Sequence, residues 1–279
     1  MSGILYLVAT PIGNLEDITF RAVKILREVD LIVAEDTRHT RKLLAHFDIH
    51  TPLIRYDEFT KNVGEKIIQE LLAGKNIACV SDAGLPAISD PGADLVRLAI
   101  ESNIKISPIP GANAALSALI CSGLSTEKFL FAGFLPKSKK NRLEILQKLS
   151  AREETIIFYE SPHRLNKFFD ELENIFGDRN ISVARELTKI HEEFLRGKIS
   201  DIKKILDEPK GEFVIIVEGC GDKNISDNIA SENFLEEYKN LLAECLDKKS
   251  AMKQIANKFN LSRRDVYKAV IEYEKNLGE

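Results

Sequence analysis

The segment Ser81-Asp-Ala-Gly-Leu-Pro-Ala-Ile-Ser-Asp-Pro-Gly92 constrains the fold of this chain more than any other. It lies between a short apolar run, 77–80, and a helical pattern, 93–101. A connection between a strand and a helix usually needs about 2–6 residues, and this one has twelve. Gly84 and Gly92 allow a close approach of the backbone to a ligand, and two prolines stiffen the segment. The segment therefore predicts a binding loop between a buried strand and a helix.

Short apolar runs alternate with longer amphipathic stretches along most of the chain. The predicted strands are 4–9, 31–34, 53–56, 77–80, 105–109, 129–134, 155–159, 181–184 and 212–217. The clearest helical patterns are 18–29, 63–73, 114–121, 142–149 and 165–176. This alternation, with nearly continuous apolar strands, predicts an α/β protein with largely parallel sheets. Between 192 and 217 the strands follow each other more closely, which favours antiparallel pairing there.

The length and the changes in composition indicate several structural parts. We expect an N-terminal α/β domain over 1–111 and a second α/β domain over 112–221. The polar segment 222–232 is typical of a linker. The remaining tail, 233–279, is helical and resembles a helix-turn-helix, with Asn260-Leu261-Ser262 as the turn.

Charge and cysteine content exclude several classes of protein. The net charge is only −4, so any contact with nucleic acid has to come from local basic patches. The four cysteines are scattered without a C-x-x-C pair, which is typical of a reduced, cytoplasmic protein without a zinc site. No apolar run approaches the ~20 residues of a membrane span, and no signal peptide is evident. We therefore expect a cytoplasmic protein that binds neither a metal nor a membrane.

Two further loops share the character of the 81–92 loop. Residues 8–19 follow the first predicted strand, and 108–113 follow the fifth. Because parallel strands end at the same edge of a sheet, the three loops are expected to form one ligand site. The first loop lacks G-x-G-x-x-G, and the chain has no G-x-x-x-x-G-K-[ST], which argues against nicotinamide enzymes and P-loop NTPases. Small residues without a lysine-rich cradle favour an adenosine-type ligand, and an ordinary strand–helix turn is the alternative explanation for 8–19 alone.

Polar loops also follow predicted strands in the second half of the chain, at 159–164, 183–189 and 211–213. A histidine–arginine pair after the proline of the first of these loops is also explained by helix capping. Glu186 and Lys189 lie on the second loop, where exposed surface charge is the alternative explanation. No Ser-His-Asp arrangement and no metal-ligand spacing occurs, so the pattern does not indicate hydrolytic or metal chemistry.

Taken together, the loops resemble a known family. The segments that carry the resemblance are 8–19, 34–41, 81–92, 110–113, 158–164, 185–189 and 211–212. They are similar to the bacterial small-subunit ribosomal RNA ribose 2′-O-methyltransferases, within the tetrapyrrole methylase-like superfamily, over roughly residues 3–221. The resemblance implies two α/β/α domains, S-adenosylmethionine (AdoMet) in the cleft between them, and a homodimer. The implied substrate is a cytidine ribose in the decoding centre of 16S ribosomal RNA.

The resemblance also implies a set of cofactor-binding residues. They are Pro11, Ile12, Gly13, Asp82, Ala83, Gly84, Leu85, Ala87, Ala112, Asn113, Tyr159, Glu160, Ala184 and Phe213. The tetrapyrrole-modifying relatives carry a G-D-P-type sequence where this chain has Ala83-Gly84-Leu85. That departure favours the RNA-modifying branch.

Methyl transfer to a ribose 2′-hydroxyl requires a base or a hydrogen-bonding partner, because the neutral hydroxyl is a poor nucleophile. Glu186 and Lys189 are the candidate catalytic residues. A lysine can act as a base only if burial lowers its pKa, or it can instead stabilise charge that develops on the oxygen. The sequence itself does not assign a base.

Local basic groups are the candidates for contact with small-subunit ribosomal RNA, within the subunit. They are Arg38, Arg41, Lys137, Lys139, Lys140, Arg142, Arg263 and Arg264. The basic loop 137–142 is the strongest candidate for a phosphate clamp, with a solvated lysine loop as the alternative. For the tail, the alternative is a helical appendage that only packs or dimerises.

Two other functions stay open at this point. One is methylation of a tetrapyrrole-like small molecule, which would not require the basic loop or the basic tail. The other is a non-catalytic RNA-binding assembly factor with a vestigial cofactor pocket, which predicts no binding of AdoMet.

Overall fold

The computed structural model describes residues 2–56, 61–206, 209–220, 232–243, 247–258, 266–267 and 270–271. The chain falls into two compact units. The first comprises Met1–Gln147 and Thr155–Val217, and the second comprises Lys148–Glu154 and Glu218–Glu279. Both sheets lie in the first unit. The domain boundaries at 111 and 221 stay predictions, and most of the predicted linker, 222–231, lies outside the described residues.

The first sheet alternates strands and helices along the chain. Its strands are β1 Ile4–Val8, β2 Leu31–Ala34, β3 Leu53–Arg55, β4 Ile77–Val80 and β5 Lys105–Ile109. The connecting helices are α1 Phe20–Glu28, α2 Thr37–His46, α3 Lys61–Leu72 and α4 Ala93–Glu101. The strand order is β3-β2-β4-β1-β5, and every neighbouring pair is parallel. The parallel α/β arrangement predicted for this half is confirmed.

Helices cover both faces of this sheet. Leu26 of α1 and Leu44 of α2 pack on one face, whereas Leu71 of α3 and Leu95 of α4 pack on the other. The chain leaves β1 toward β2 and leaves β4 toward β5, in opposite directions along the sheet. In doubly wound sheets, ligands bind outside the carboxyl ends of the strands where the connections diverge. That point lies between β4 and β1, at the 81–92 loop.

The second sheet is mixed. Its strands are β6 Phe129–Phe134, β7 Thr155–Glu160, β8 Asn180–Arg185, β9 Glu193–Lys198 and β10 Phe213–Val217, in the order β6-β7-β10-β8-β9. Only β6 and β7 pair in parallel, and the other three pairs are antiparallel. The helices are α5 Ala114–Ser122, α6 Lys139–Ser150, α7 Pro162–Phe176 and α8 Ile199–Ile205. The predicted antiparallel pairing of the last strands is confirmed.

Two local differences from the sequence pattern have simple causes. The first helix begins at Phe20 instead of 18, because Thr19 caps it and its hydroxyl oxygen accepts the N–H of Ala22 at 3.1 Å. Strand β9 is absent from the predicted strands. It lies at the edge of the sheet, and all its positions are exposed or half-buried, so it has no continuous apolar run.

The second unit contains α9 Glu232–Ala243 and α10 Lys248–Lys258. Asp247 caps α10, because one carboxylate oxygen accepts the N–H groups of Lys249 and Ser250 at 3.0 Å. The buried cluster of this unit consists of Tyr238, Ala251, Ile255, Val266 and Val270. The described part of the predicted tail is helical over 232–243 and 248–258, whereas the predicted turn at 260–262 lies outside the described residues. Within the described ranges, no helix is long and apolar enough to cross a membrane.

Candidate functional site

A cavity of about 360 Å³ lies inside the first unit, at the carboxyl edge of the first sheet. The 81–92 loop forms one wall, and residues from the ends of β7 and β10 form the opposite wall. The lining residues are Ile12, Ala83, Gly84, Leu85, Ile88, Ser89, Asp90, Asn113, Ala114, Phe134, Tyr159, Glu160, Ser161, Pro162, Leu187, Gly211, Glu212, Phe213 and Val214. The size is that of a small-molecule site.

The 81–92 loop is held in place by the loop that follows β1. Thr10 and Gly84 exchange two backbone hydrogen bonds, of 2.8 and 3.0 Å. The Ser81 hydroxyl donates to the Gly84 carbonyl at 3.0 Å. Ala87 and Ser89 have φ of +67° and +61°, in the left-handed region that non-glycine residues rarely adopt. Such strain persists only where the surroundings enforce it, and it is common at functional sites.

The loop after β8 shows the same kind of strain. Glu186 and Thr188 have φ of +50° and +65°, and positive φ is particularly unfavourable for a β-branched threonine. This loop packs closely on Gly13, where a Cβ atom would lie 2.6 Å from Cγ of Lys189 and 2.9 Å from the carbonyl oxygen of Leu187. Only glycine allows the loop after β1 to come this close to the loop after β8, so Gly13 lies where the two halves of the site meet.

Glu186 and Lys189 belong to a small ionic cluster at the cavity. The Nζ atom of Lys189 lies 3.0 Å from Oε1 of Glu186 and 3.0 Å from Oε2 of Glu212. The same Glu186 oxygen accepts the backbone N–H of Glu212 at 2.9 Å. Of these three residues, Glu212 lines the cavity. The candidate catalytic pair therefore lies immediately behind the wall.

Both members of that pair are charged near neutral pH. The backbone N–H of Glu212 lowers the pKa of Glu186, and the ammonium of Lys189 lowers it further. Partial burial acts to lower the pKa of Lys189, but the hydrogen bonds to Glu186 and Glu212 outweigh it, so that pKa lies above its usual value. Lys189 therefore lacks the lowered pKa that a lysine base would need. Its ammonium can still stabilise negative charge.

Glu160 and Tyr159 line the cavity from the end of β7. Glu160 is 3% exposed, accepts the N–H of Ser161 at 2.8 Å, and pairs with Nη2 of Arg164 at 3.2 Å. Burial raises the pKa of Glu160 above its usual value despite that partner. The hydroxyl of Tyr159 accepts the N–H of Ala115 at 3.1 Å, and burial raises its pKa. Both side chains are held firmly.

Among the described residues that line the cavity, Asp90 and Glu212 are the two carboxylates that are absent from the predicted site residues. Asp90 is half-buried, and its side chain has no hydrogen-bond or ion-pair partner among the described residues. Burial raises its pKa to about 6, with smaller contributions from the charges of Glu35 and Asp82. Its position on the twelve-residue loop was the only signal in the sequence.

The lining therefore has a distinct chemical character. It carries the carboxyl groups of Asp90, Glu160 and Glu212 but no lysine or arginine. Most of the remaining surface is apolar or backbone. The described part of the chain contains no group of three or more His, Cys, Asp or Glu residues arranged to bind a metal. Such a site suits a ligand with an apolar body and positive charge, and it does not suit a polyphosphate.

Residues 4–203 match the family of tetrapyrrole (corrin/porphyrin) methylases. The chain belongs to the tetrapyrrole methylase family. It is therefore a methyltransferase with the α/β fold of that family.

Individual relatives agree with this assignment. A ribosomal RNA small subunit methyltransferase I from Halalkalibacterium halodurans is 50% identical over 270 residues, which covers 95% of this chain and 93% of that protein. A protein of the same name from Synechocystis sp. is 48% identical over 276 residues, covering 98% and 99%. The crystal structure of a diphthine synthase has a TM-score of 0.59 at 14% identity, covering 78% of this chain and 90% of that one. This last likeness concerns the fold alone.

The predicted cofactor residues of this tetrapyrrole methylase family member are close together but not all at the cavity surface. Those that line the cavity are Ile12, Ala83, Gly84, Leu85, Asn113, Tyr159, Glu160 and Phe213. Those outside the lining are Pro11, Gly13, Asp82, Ala87, Ala112 and Ala184. Ala184 is fully buried and packs in the core beside α5. Asp82 instead accepts the backbone N–H of Asp36 at 3.3 Å.

One predicted RNA-binding residue of the methylase has a different role. Arg142 is 4% exposed and forms two hydrogen bonds with Glu171, of 2.6 and 2.7 Å. It also donates to the carbonyls of Pro136 and Lys137 at 3.2 and 3.0 Å. A buried guanidinium with these partners cannot contact a phosphate, so the interpretation of Arg142 as an RNA ligand is corrected. It holds the basic loop from inside.

The other basic candidates are spread over several surfaces. Lys137, Lys139 and Lys140 are exposed on and beside the loop that Arg142 holds. Arg38 and Arg41 are exposed on α2, although the guanidinium of Arg38 pairs with Asp36 at 2.6 Å. Arg263 and Arg264 lie outside the described residues.

Proposed function

We propose that this methyltransferase uses AdoMet to methylate the ribose 2′-hydroxyl of a cytidine in the decoding centre of 16S ribosomal RNA. The observation that carries the proposal is the cavity between two strained loops, whose lining is apolar and acidic without a basic side chain. The near full-length identity to proteins named ribosomal RNA small subunit methyltransferase I supports the RNA as methyl acceptor.

The residues at the cavity are compatible with AdoMet. An adenosine moiety would pack on apolar side chains and backbone of the 81–92 loop. The sulfonium and the amino group are positive, and the carboxyl groups of Asp90, Glu160 and Glu212 would complement them. The cofactor residues predicted from the sequence are proposed to hold AdoMet, and those of them that line the cavity are proposed to contact it directly. AdoMet supplies an electrophilic methyl group on a good leaving group.

The chain's own residues supply orientation and charge. Lys189 keeps its proton between Glu186 and Glu212, so its ammonium is available to stabilise the oxygen as negative charge develops during methyl transfer. Glu186 fixes that ammonium and the backbone of Glu212 with a single oxygen. We propose that Lys189 is catalytic and that Glu186 positions it.

Binding of the RNA requires positive charge outside the cavity. The exposed Lys137, Lys139 and Lys140, together with Arg38 and Arg41, are proposed to contact phosphates. Arg263 and Arg264 of the tail are proposed to add to this surface. We also propose that the enzyme is a homodimer and that it acts on the small ribosomal subunit in the cytoplasm.

The decisive experiment measures transfer of labelled methyl from AdoMet to three acceptors in parallel. These are isolated small ribosomal subunits, naked 16S ribosomal RNA and a mixture of porphyrinoids. Label in a cytidine 2′-O-methyl group of the RNA is expected. Labelling of porphyrinoids alone would instead establish a small-molecule methyltransferase. Failure to bind AdoMet in calorimetry would support the non-catalytic assembly factor.

A further inference from the structure

We infer that Phe134, at the end of β6, binds the base of the methylated nucleotide, and that its ring stacks on that base once the nucleotide has left its own stack. This inference rests on the proposed function and names the part of the RNA that this wall of the cavity recognises. The evidence is the exposed ring of Phe134 at the cavity, its rigid support, and the lysines that follow it on the same segment.

Phe134 presents an exposed aromatic ring at the cavity wall. Among the described residues that line the cavity, the aromatic ones are Phe134, Tyr159 and Phe213. Phe213 is 3% exposed, and Tyr159 is half-buried with its hydroxyl fixed by the N–H of Ala115. Phe134 is 56% exposed. Unstacked bases of RNA bind to accessible aromatic rings of this kind.

An irregularity in β6 places Phe134 on the side of the sheet that carries the cavity. The register of β6 against β7 shifts between Phe131 and Gly133, which makes Ala132 an extra residue, and Gly133 has a φ of +60°. In a regular strand, Phe131 and Phe134 would face opposite sides of the sheet, because they are three positions apart. The extra residue brings both rings to Tyr159, with centroids 5.1 and 5.4 Å away. Bulges beside active sites redirect side chains in this way.

The backbone that follows Phe134 is held at three successive carbonyls. The guanidinium of Arg164 donates to the carbonyl of Leu135 at 3.1 Å. The guanidinium of Arg142 donates to the carbonyls of the next two residues, at 3.2 and 3.0 Å. The ring is therefore carried by a fixed segment, so a base that stacks on it does not have to order the backbone first.

Positive charge on the same segment favours RNA as the molecule that covers the ring. Lys137, Lys139 and Lys140 are exposed, and Lys137 follows Phe134 by three residues, which span at most about 11 Å. An aromatic ring beside lysines is the combination that binds single-stranded nucleic acid, since bases stack on the ring and phosphates pair with the ammonium groups. The adenine of AdoMet brings no phosphate, and an apolar contact with a second copy of the chain does not require this charge.

Stacking at Phe134 would also place the reacting hydroxyl. The base and the 2′-hydroxyl are attached to neighbouring ribose carbons, so a base fixed at the cavity wall keeps that oxygen close to the wall. A Cβ at Gly133 would lie 3.2 Å from Oγ of Ser89, so β6 packs directly on the 81–92 loop, where AdoMet is proposed to bind. Such positioning lowers the barrier of an in-line methyl transfer. Because any base can stack, Phe134 supplies position and not sequence selectivity.

The test changes the ring in steps. Phe134→Ala removes it, Phe134→Leu keeps apolar volume without a flat ring, and Phe134→Trp keeps a stacking surface. Phe129→Ala is the matched control, because Phe129 is 44% exposed on the same strand and lies outside the cavity lining. For each variant we would measure kcat/KM for methylation of isolated small subunits, AdoMet affinity by calorimetry, and oligomeric state by sedimentation.

The inference predicts that Phe134→Ala lowers kcat/KM by about 5- to 150-fold, which corresponds to the loss of one stacked base. Phe134→Leu should be similarly impaired, Phe134→Trp should approach wild type, and Phe129→Ala should equal it. AdoMet affinity and oligomeric state should stay unchanged in all four variants. Recovery by the tryptophan separates stacking from a merely structural role of the side chain.

A second measurement removes the base instead of the ring. Small subunits are reconstituted with 16S ribosomal RNA that has an abasic ribose at the position identified by methyl labelling, and binding is compared with that of unmodified subunits. Phe134→Ala should bind unmodified subunits about 5- to 150-fold more weakly than wild type does. On the abasic subunits the two proteins should bind equally, because the partner of the ring is already absent.

Several results would overturn the inference. Wild-type kcat/KM in Phe134→Ala or in Phe134→Leu would exclude stacking, and an equal loss of affinity for unmodified and abasic subunits would place the contact elsewhere in the RNA. Loss of AdoMet affinity would mean that the ring packs on adenine, and dissociation into monomers would mean that it packs on a second copy. Wild type that labels no small-subunit RNA would reject the proposed function and this inference with it. Wild-type labelling with an unimpaired Phe134→Ala rejects the inference alone.

Discussion

The guanidinium of Arg142 on α6 and the carboxylate of Glu171 on α7 form a buried ion pair with two hydrogen bonds, of 2.6 and 2.7 Å. Their side chains are 5% and 9% exposed. Because two further hydrogen bonds join Arg142 to the carbonyls of Pro136 and Lys137, the pair links the core to the exposed lysine loop. Arg142, which the sequence suggested as an RNA ligand, thus holds the exposed lysine loop in place.

Loss of one partner of this pair should destabilise the protein strongly. Glu171→Gln leaves the Arg142 charge buried without its counter-ion, so the free energy of unfolding should fall by about 3 kcal/mol. Urea denaturation measures it. Glu173→Gln on the same helix removes a partly exposed ion pair with Lys203 and should cost at most about 1 kcal/mol. Equal effects of the two variants would show that burial of the Arg142 pair contributes nothing.

Gly211→Ala should impair catalysis more than stability alone explains. A Cβ atom at Gly211 would lie 2.5 Å from Oε1 of Glu186, the oxygen that holds Lys189. Gly123 also has positive φ, +78°, but its Cβ would meet nothing within 4 Å. Gly123→Ala should therefore cost only about 1–2 kcal/mol of strain and keep its activity. The measurement is the single-turnover rate per folded molecule, and equal rates in both variants would contradict the expectation.

Lys189→Gln tests the proposal that the Lys189 ammonium stabilises negative charge on the oxygen during methyl transfer. The single-turnover rate should fall by about 10²–10³, with little change in AdoMet affinity, because the ammonium acts mainly in the transition state. Lys189→Arg, which keeps the charge, should recover part of the loss. Lys204→Gln, at an exposed lysine paired with Asp201, serves as the control. An unchanged rate for Lys189→Gln would remove Lys189 from the catalytic residues.

Combined substitution of Lys137, Lys139 and Lys140 by Gln should weaken RNA binding without affecting AdoMet binding. If each lysine contacts a phosphate, the slope of log affinity against log salt should become shallower by about 2–3. The same charge change at the exposed Lys24, Lys66 and Lys105 is the control. Filter binding to 16S ribosomal RNA at several salt concentrations gives the slopes. Identical slopes in the two triple variants would refute the phosphate clamp.

Asp90→Asn should stabilise the protein at neutral pH. The folded-state pKa of about 6 lies above the unfolded value of about 4, so the folded state binds more protons between these values and loses stability as pH rises through them. The variant lacks this loss. Its melting temperature relative to wild type should therefore increase from pH 4 to pH 7, measured by calorimetry with Glu101→Gln as control. A difference that is constant or shrinks with pH would contradict the raised pKa.

Much of the fold follows from local patterns. The apolar runs at 77–80 and 105–109 form parallel strands, as predicted. The close spacing of the last strands correctly predicted their antiparallel pairing. Strand β9 was not predicted, because an edge strand needs little apolar surface. The placement of the loops 8–19, 81–92 and 108–113 at one edge of the sheet was predictable, since parallel strands bring their carboxyl ends together.

The sequence by itself determined the α/β class, the loops at the strand ends and the resemblance to a methyltransferase family, because periodicity, glycine, proline and capping residues act over a few neighbouring positions. Only the tertiary structure decided that Arg142 is buried, that Lys189 keeps its proton and that burial raises the pKa of Asp90. Each of these states depends on residues far along the chain, such as Glu171 for Arg142 and Glu35 for Asp90. Burial and electrostatic interaction follow distance in space, which the order of residues does not reveal.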